Sequence, residues 1–431
     1  MAALIGRWAA AALSAASLLL ASPGPARAHA GLLSSAPAAG DTLREAPRRL
    51  VLRFTEPVEA ASSGLVLLGL NSQITLAPRR DPRDVAALVA ELPPLGPGGY
   101  RVQWRTLSAD GHTVEGSFVF FVAGAGPAVG SAPPEHPTER VYTSSVPILA
   151  SVLRGVGVGA LAALAGLLLW MTTSASPADG RVLRVALALA WAAPVLLAAH
   201  AVAWAVYARG PGGGEPLGRL LFGTLPGRVE VVRVGLALLA LWALALARRP
   251  GLALGFAVAA VAATGMTGHS AAIHPAWTVP AKAIHVAAVA VWTGGLAVLL
   301  VTARRGGDLR ALAVRVSSLS LAAVVALAAT GVLQTLLFAP SLGLLARSAY
   351  GAVLLAKLAG MAVLVAIGAR NRYGLVPRLP AEEARVSLRR AVGWELAVMS
   401  LVMLAAGLLA YVPVPRPDPP MAVHNTHAET N

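Results

Sequence analysis

The sequence predicts a two-part fold, in which a small all-β domain of sandwich or barrel type precedes an all-α transmembrane bundle of about eight helices. Of the 431 residues, 56% are hydrophobic and only 13% are charged, whereas soluble domains carry about 25% charged residues. The apolar residues are concentrated in long runs after about residue 146. Before that point the chain consists of short strand-like segments between turns.

The positive charge of the chain does not indicate a nucleic-acid partner. The formal net charge is +15, but the basic residues lie in short clusters between apolar runs, where the positive-inside rule places them. A nucleic-acid-binding protein would instead gather them on one soluble face. The chain has no cysteine, so disulfides and thiolate metal sites are excluded, and soft-metal chemistry would have to use histidine, methionine and carboxylates.

Residues 1–28 have the features of a secretory signal peptide. A single basic residue, Arg7, precedes an apolar stretch at 8–21, and residues 26–28 form a small-x-small cleavage site. Cleavage at that site would make His29 the mature N-terminus and place the following domain outside the cytoplasm. The alternative is an uncleaved first membrane helix.

Four segments of the predicted β domain, residues 29–123, have strand character. Tyr100–Thr106 alternates with period two, which places Tyr100, Val102 and Trp104 on one face. The other three segments are Arg49–Phe54, Gly64–Leu70 and Ser117–Val122. Several short strands separated by turn residues at this spacing predict a small sandwich or barrel.

Residues 124–145, which are rich in Gly and Pro, are predicted to link the β domain to a transmembrane domain at 146–412. Eight apolar runs in that domain have the length that a membrane-spanning helix needs. They lie near 147–171, 183–207, 229–247, 251–268, 280–302, 315–338, 349–369 and 390–411. Residues 413–431 form the remaining tail.

The distribution of arginine predicts the orientation in the membrane. The loops after the first, third, fifth and seventh spans carry more arginine than the other loops, and the positive-inside rule assigns such loops to the cytoplasm. This agrees with export of the β domain by the signal peptide. The sequence therefore predicts a multi-pass membrane protein with its N-terminal domain and its C-terminal tail on the extracytoplasmic side.

Four histidines of the predicted spans and their loops fall in the outer third of the membrane. His200 lies roughly 10 Å and His285 roughly 8 Å below the outer surface, counting about 1.5 Å per helical residue. His269 and His274 flank a short outer loop, and Met266, one turn before His269, adds a thioether suited to Cu(I). These five residues are candidate ligands of a membrane copper site, because neutral imidazole binds copper strongly. Solvation or helix capping is the alternative for each histidine taken singly.

A second candidate metal site lies in the β domain. His29, as the mature first residue, would offer an imidazole nitrogen and the terminal amine in one chelate. Asp110-Gly111-His112 adds a carboxylate and a second imidazole in a turn just beyond the strand near Thr106. Together they form the tetragonal nitrogen and oxygen set that Cu(II) favours, although Asp-Gly-His also occurs in ordinary turns.

The N-terminal part of the chain resembles the CopC family of periplasmic copper-resistance proteins. The segments that carry the resemblance are His29-Ala30, Phe54–Glu59 and Tyr100–Phe118. The resemblance implies a Greek-key, immunoglobulin-like β-sandwich that binds Cu(II). The ligands that it implies are His29, Asp110 and His112, with the carboxylate of Glu56 nearby. Some members bind Cu(I) through a methionine-rich loop, but residues 30–130 contain no methionine, so we expect no separate Cu(I) site in this domain.

The membrane half resembles CopD, the inner-membrane partner of that family. The matching residues are Gly268-His269-Ser270, His285, Val291–Leu296, Thr330-Gly331, Tyr350-Gly351, Lys357, Asn371-Arg372 and Glu395. The resemblance implies a natural fusion of the two domains that handles copper at a bacterial inner, or plasma, membrane.

The expected function is copper import or handling. Cu(II) captured by the β domain would pass to the outer histidines, and the bundle would admit it as Cu(I) or Cu(II). The alternative is a non-transporting copper sensor or a chaperone for copper-enzyme assembly. No enzymatic activity is expected, because the β domain is small for a copper oxygenase and the histidines avoid mid-membrane, where haem would bind. Expected partners are the copper ion, the lipid bilayer, and periplasmic copper chaperones or copper-oxidase assembly factors.

Overall fold

A computed structural model of the protein describes most of the chain outside the predicted signal peptide, linker and tail. The described residues are 31–69, 72–108, 111, 113–123, 138–140, 146–173, 180–209, 216–272, 274–303, 309–338, 341–379, 381–412 and 414. They form a β-sandwich followed by a helical bundle, which confirms the two-part fold that the hydropathy pattern predicts.

The sandwich consists of two sheets whose strand pairs are antiparallel, apart from one parallel pair. The first sheet has the order β1 (Leu32–Ala36), β3 (Arg49–Phe54), β7 (Ala87–Glu91) and β6 (Arg79–Arg80). The second has the order β10 (Thr138–Arg140), β9 (Thr113–Val122), β8 (Gly98–Ser108), β4 (Val58–Leu68) and β5 (Gln73–Leu76). The short strand β2 (Thr42–Leu43) pairs in parallel with β9.

The two sheets share one apolar core, as the alternating segments predict. Strand β3 has the predicted bounds, and every second residue, ending with Phe54, is buried. In strand β8, Val102 and Trp104 are buried and Tyr100 packs against the same core. The Phe54 and Trp104 rings meet edge to face with centroids 5.2 Å apart, so side chains from both sheets interlock in a sandwich.

The bundle contains long helices and short connecting turns. The helices are α1 (Ile148–Thr173), α2 (Gly180–Arg209), α3 (Leu217–Gly223), α4 (Leu225–Ala245), α5 (Pro250–Ala263), α6 (His269–Ala272), α7 (Pro275–Thr302), α8 (Leu309–Phe338), α9 (Leu342–Ala346), α10 (Ala349–Arg370) and α11 (Glu382–Leu409). Thr264–Met266 and Val376–Arg378 are 3₁₀ turns, and Asn371–Leu375 is a π-helical turn.

Six helices of the described chain are long and apolar enough to cross a membrane, namely α1, α2, α7, α8, α10 and α11. Helix α4 lies at the third predicted span, but it is not apolar enough to count among them because its sequence contains Arg228, Glu230 and Arg233. The fourth predicted span corresponds to the shorter apolar helix Pro250–Met266. Length and composition therefore identify six spans, where hydropathy alone predicts eight.

Helix α1 packs against α2, α5, α7 and α11, and glycines bring two of these neighbours close to it. A Cβ atom on Gly166 of α1 would overlap the carbonyl oxygen of Ala290 in α7, and one on Gly294 would overlap the backbone of Gly166. In the same way, Gly407 of α11 lies against the backbone of Ser151. Such backbone contact is typical of membrane helices, whose association depends on close packing.

The β-sandwich is docked on one end of the bundle. Arg105 Nη2 and Thr113 Oγ1 both donate to the carbonyl oxygen of Ala208, near the end of α2, at 2.9 Å and 3.1 Å. The backbone N–H of Leu225, at the start of α4, donates to Glu59 Oε1 at 3.2 Å. An apolar cluster that includes Leu107 of the sandwich and Trp204, Ala205 and Tyr411 of the bundle covers the junction.

Candidate metal centre

Of the four candidate ligands in the β domain, Glu56 is the one that the structure describes. His29, Asp110 and His112 lie outside the described residues. Glu56 is buried in the turn between β3 and β4, and its carboxylate accepts a hydrogen bond from the hydroxyl of Ser108 at the end of β8. Because Ser108 precedes Asp110 by two residues in sequence, this bond ties the Glu56 carboxylate to the segment that leads into the predicted Asp110-Gly111-His112 motif.

The described neighbours of all four candidates meet at one edge of the sandwich. The backbone N–H of Gly31 donates to Thr55 Oγ1 at 2.9 Å, and the Thr55 N–H donates back to the Gly31 carbonyl at 2.8 Å. The Gly111 N–H donates to the Ser108 carbonyl at 2.9 Å. Gly31 follows His29 by two residues and Thr55 precedes Glu56, so hydrogen bonds join the chain segments that carry the predicted ligands.

Gly111 is one of the points at which the sandwich touches the bundle. Its φ of 87° lies in the left-handed region, which glycine adopts without strain. A Cβ atom there would lie 3.1 Å from Trp204 Nε1 of α2, so a larger residue would also press against the Trp204 side chain. A small cavity of about 20 Å³ lies at this contact. Its lining residues include Gly111, Arg154, Trp204, Glu230, Gly268 and Tyr411.

A larger cavity of about 150 Å³ lies beside it within the bundle, and we call it the outer cavity. Two of the five predicted membrane ligands, His269 and His285, line it. Three thioethers line it as well, from Met361, Met399 and Met403. Imidazole nitrogens and thioether sulfurs together are donors that suit Cu(I).

A hydrogen bond at Nδ1 fixes the His285 ring and its tautomer. Its Nδ1 lies 2.8 Å from Thr330 Oγ1, and that hydroxyl donates to the carbonyl oxygen of Ala326 at 2.6 Å. Because the hydroxyl has a single hydrogen, it accepts from His285, which places the imidazole proton on Nδ1. Nε2 then carries the lone pair that a metal ligand needs.

His269 begins helix α6 directly after Gly268, whose φ of 70° turns the chain into the cavity. The imidazole is buried, and its centroid lies 6.1 Å from the ring of Phe338 and 6.2 Å from that of Tyr350, edge to face in both cases. These aromatic contacts fix the ring where it lines the cavity. The glycine before His269 and the aromatic rings around it therefore explain how the Gly268-His269-Ser270 segment places this candidate ligand at the cavity.

The other three predicted membrane ligands lie elsewhere. His200 is fully buried, with Nδ1 3.2 Å from Glu230 Oε2 and Nε2 2.9 Å from Tyr411 Oη, so both nitrogens are hydrogen-bonded. Met266 is 46% exposed. His274 is the residue before α7, where its φ of 45° places it in the left-handed region. None of the three is among the described residues that line the outer cavity.

Three cationic side chains, which the sequence does not mark as cavity residues, line the outer cavity. They are Arg154, Lys282 and Lys357. Lys282 Nζ donates to the Thr267 carbonyl at 2.6 Å, and Arg154 Nη2 to the Thr267 hydroxyl at 3.1 Å. Arg154 Nη1 also lies 3.8 Å from Glu230 Oε1. This lining repels a divalent cation more than a monovalent one.

The structure also contains a buried ion network that the sequence analysis missed. Arg233 is fully buried, and its Nη1 donates to the two carboxylate oxygens of Glu230 at 2.8 Å and 2.7 Å. His200 binds the same carboxylate. A signal was present in the sequence, because an acid and a base three residues apart in an otherwise apolar helix lie on one face.

Comparison with known proteins agrees with these observations. Residues 32–123 match the CopC domain family, and residues 310–409 match the family of Copper resistance protein D. Protein YobA of Escherichia coli K12 is 39% identical over 98 residues, 22% of this chain and 79% of YobA. Copper resistance protein C of Escherichia coli is 34% identical over 108 residues, 22% of this chain and 83% of that protein.

Two further similarities concern the whole chain and a solved structure. Copper transport protein CutJ of Bacillus subtilis 168 is 24% identical over 438 residues, 94% of this chain and 78% of CutJ. The crystal structure of CopC from Methylosinus trichosporium OB3b is 30% identical, with 24% of this chain and 100% of that chain covered and a TM-score of 0.22. The predicted joining of the two domains in one polypeptide is thus confirmed. The chain belongs to the CopC family through its β domain, and the same polypeptide carries a Copper resistance protein D domain in its membrane half.

Proposed function

We propose that this protein captures copper at the edge of its β-sandwich and passes it through the outer cavity across the membrane into the cell. The observation that carries the proposal is the position of Gly111, in the middle of the predicted Asp110-Gly111-His112 motif. Gly111 packs on Trp204 of the bundle. The small cavity at that contact shares Arg154 and Gly268 with the outer cavity, which supports a capture site next to the membrane site.

Capture is proposed to use Cu(II) at the edge of the sandwich. The ligands would be the imidazole and amine of His29, the carboxylate of Asp110 and the imidazole of His112, with Glu56 beside them. This requires removal of residues 1–28 as a signal peptide. The hydrogen bonds that join Gly31, Thr55 and Ser108 to the neighbours of these ligands support the assignment. The named relatives Copper resistance protein C and Copper transport protein CutJ support copper as the ligand.

In the membrane step, copper would pass to His269 and His285. The thioethers of the outer cavity suit Cu(I), and its cationic lining repels Cu(II) more strongly than Cu(I). Conversion of captured Cu(II) would consume one electron, supplied by a one-electron donor outside the cell. We assign no part in this step to His200, Met266 and His274, because none of them lines the outer cavity.

We further propose eight crossings of a bacterial inner membrane, with α4 and Pro250–Met266 as a short hairpin that completes the bundle. The sandwich contacts the end of α2 and the start of α4, which alternating crossings place on one side. With the arginine-rich loops in the cytoplasm, this side is the periplasm, and residues 413–431 lie there too. Exposed apolar side chains such as Leu355, Trp394 and Leu401 would face lipid.

Uptake of copper-64 into proteoliposomes tests this function. The unmodified protein should accumulate the isotope, and His269→Ala and His285→Ala should each abolish accumulation. His274→Asn is the matched control, because it removes an imidazole of the same layer that does not line the outer cavity, and asparagine tolerates the left-handed backbone. Copper binding without accumulation by the unmodified protein would overturn transport and favour a sensor or assembly chaperone.

A further inference from the structure

The bundle contains a second cavity, of about 280 Å³, which we call the inner cavity. It is lined by α7, α8, α10, α11 and the π-helical turn that follows α10. Tyr350 at the start of α10 lines the outer cavity, whereas Asn371, directly after the end of α10, lines the inner one. At about 1.5 Å per residue, these ends of α10 are about 30 Å apart, so the two cavities are distinct.

The inner cavity contains an oxygen atom whose hydrogen-bonding capacity is unused. Asn371 is buried and its Nδ2 donates to Glu395 Oε1, which fixes the orientation of the amide. In the described part of the chain, the amide oxygen Oδ1 is buried without a hydrogen-bond partner. A buried carbonyl oxygen of this kind costs free energy unless a donor or a cation reaches it.

The Glu395 carboxylate next to it accepts hydrogen bonds from the side chains of Asn371 and Trp292 but has no counter-charge among the residues described. Glu395 is 2% exposed, and no lysine, arginine or histidine of the described residues lies within the 4.0 Å of an ion pair. Arg372 lines the same cavity, but its Nη1 donates to Ser317 Oγ at 2.9 Å and its guanidinium lies 5.9 Å from the Tyr373 ring centroid. A carboxylate in membrane surroundings needs a positive partner.

The backbone at this point is irregular. Asn371–Leu375 forms a π-helical turn between α10 and a 3₁₀ turn. Such turns are rare and are frequently found at functional sites. Here the turn begins with Asn371 itself and brings it to Glu395 of α11.

We propose that the inner cavity binds a small hard monovalent cation, Na⁺, through the Glu395 carboxylate and the Asn371 amide oxygen. The hydroxyl of Ser320 lines the cavity as a further oxygen ligand, whereas that of Ser317 already accepts from Arg372. Carboxylate, amide and hydroxyl oxygens suit hard cations, whereas copper in its monovalent state prefers nitrogen and sulfur. Binding of Na⁺ at this site would couple the protein to a sodium gradient, which can drive transport. The proposal of a sodium site does not depend on the proposed passage of copper.

Equilibrium binding of sodium-22 to the purified full-length protein tests the proposal, in copper-free choline chloride at pH 8. The unmodified protein should show saturable binding of about one ion per chain, and Glu395→Gln should weaken it by roughly tenfold or more. Asn371→Ala should weaken it as well. The matched control is Glu383→Gln, which removes an exposed carboxylate from the first turn of the same helix and should bind like the unmodified protein.

Two results would overturn the sodium site. One is an absence of saturable binding by the unmodified protein. The other is equal binding by Glu395→Gln and the unmodified protein. Thermal unfolding of each variant shows whether it is folded, and because Asn371→Ala keeps the carboxylate, it provides a second test if Glu395→Gln unfolds. Copper-64 accumulation is measured separately, so failure of this site leaves the proposed copper function to its own test.

Discussion

At the scale of single residues, Glu230 and Arg233 form a buried ion pair whose charges are costly to remove from water. Both side chains are buried in α4, and Arg233 also lies in the network that contains His200 and Tyr411. Two charges removed from water stabilise a fold only when each compensates the other. This explains why charged residues that interrupt an apolar helix are tolerated here, at the junction with the β domain.

Replacing Glu230 with glutamine should strongly destabilise the bundle. The substitution leaves the Arg233 guanidinium buried without its counter-charge, and loss of one partner from a buried pair costs about 3–5 kcal/mol. Thermal unfolding in detergent measures the effect. Glu382→Gln is the control, because Glu382 is largely exposed in its pair with Arg385 and should leave the unfolding temperature unchanged. Equal unfolding temperatures for the two variants would contradict this account of the pair.

Asp84 in the β domain predicts a dependence of stability on pH. The Ala86 N–H and the Arg53 guanidinium donate to its carboxylate at 2.9 Å and 2.8 Å, and they hold the pKa of Asp84 below its usual value of 3.8. A lowered pKa means that the contribution to stability is present above pH 3.8 and is lost as the pH falls through the lowered value.

The comparison with Asp84→Asn tests this sign. Thermal unfolding of the β domain within the full chain should show the unmodified protein as the more stable at neutral pH. The difference should shrink as the pH falls below the usual aspartate range, because the wild-type carboxyl then becomes neutral as well. A difference that stays constant over the acid range would show that the charge has no part in it.

At the scale of elements, the crossing of α1 and α7 depends on glycine. Gly166→Ala should destabilise the bundle by about 1–3 kcal/mol, since the added methyl group overlaps the Ala290 carbonyl and forces two backbones apart. Gly255→Ala in α5 is the matched control, because nothing lies within 4 Å of a Cβ atom there. The thermal unfolding temperatures of the two variants test this prediction. A loss of stability in both would mean that the helix contact at Gly166 is not the cause.

How far the sequence predicts the elements depends on the type of element. In strand β3 the alternation of Arg49–Phe54 gives both the bounds and the buried face, because one face of each sheet meets an apolar core and the other meets water. In the bundle, apolar side chains cover all sides of most helices. Hydropathy then gives the depth of a residue but not the direction it faces.

That difference explains the outcome for the membrane histidines. His200 and His285 are predicted at similar depths, yet His285 lines the outer cavity and His200 faces Glu230 and Tyr411. The rotation of each helix is set by contacts such as the glycine crossings, which involve residues far apart in sequence. Met361, Met399 and Met403 join the cavity for the same reason, although no spacing in the sequence links Met361 with the other two.

At the scale of the whole molecule, the two domains are packed against each other. Hydrogen bonds from Arg105 and Thr113 to Ala208 hold the sandwich against the bundle. Under the proposed function, a copper ion released at the Gly111 edge would therefore meet the proposed membrane site at an effective concentration that free diffusion of separate proteins does not reach. No local sequence pattern predicts this docking, because its partners lie about a hundred residues apart.

The central claim is direct transfer of copper between the docked domains, and copper-64 uptake by a variant with weakened docking tests it most directly. The double variant Arg105→Ala, Thr113→Val removes the hydrogen bonds to Ala208 and leaves all the predicted copper ligands in place, while Arg101→Ala on the same strand is the control. We expect the double variant to bind Cu(II) as the unmodified protein does and to take up the isotope roughly tenfold more slowly, or worse, at low external copper. Uptake at the unmodified rate would contradict direct transfer.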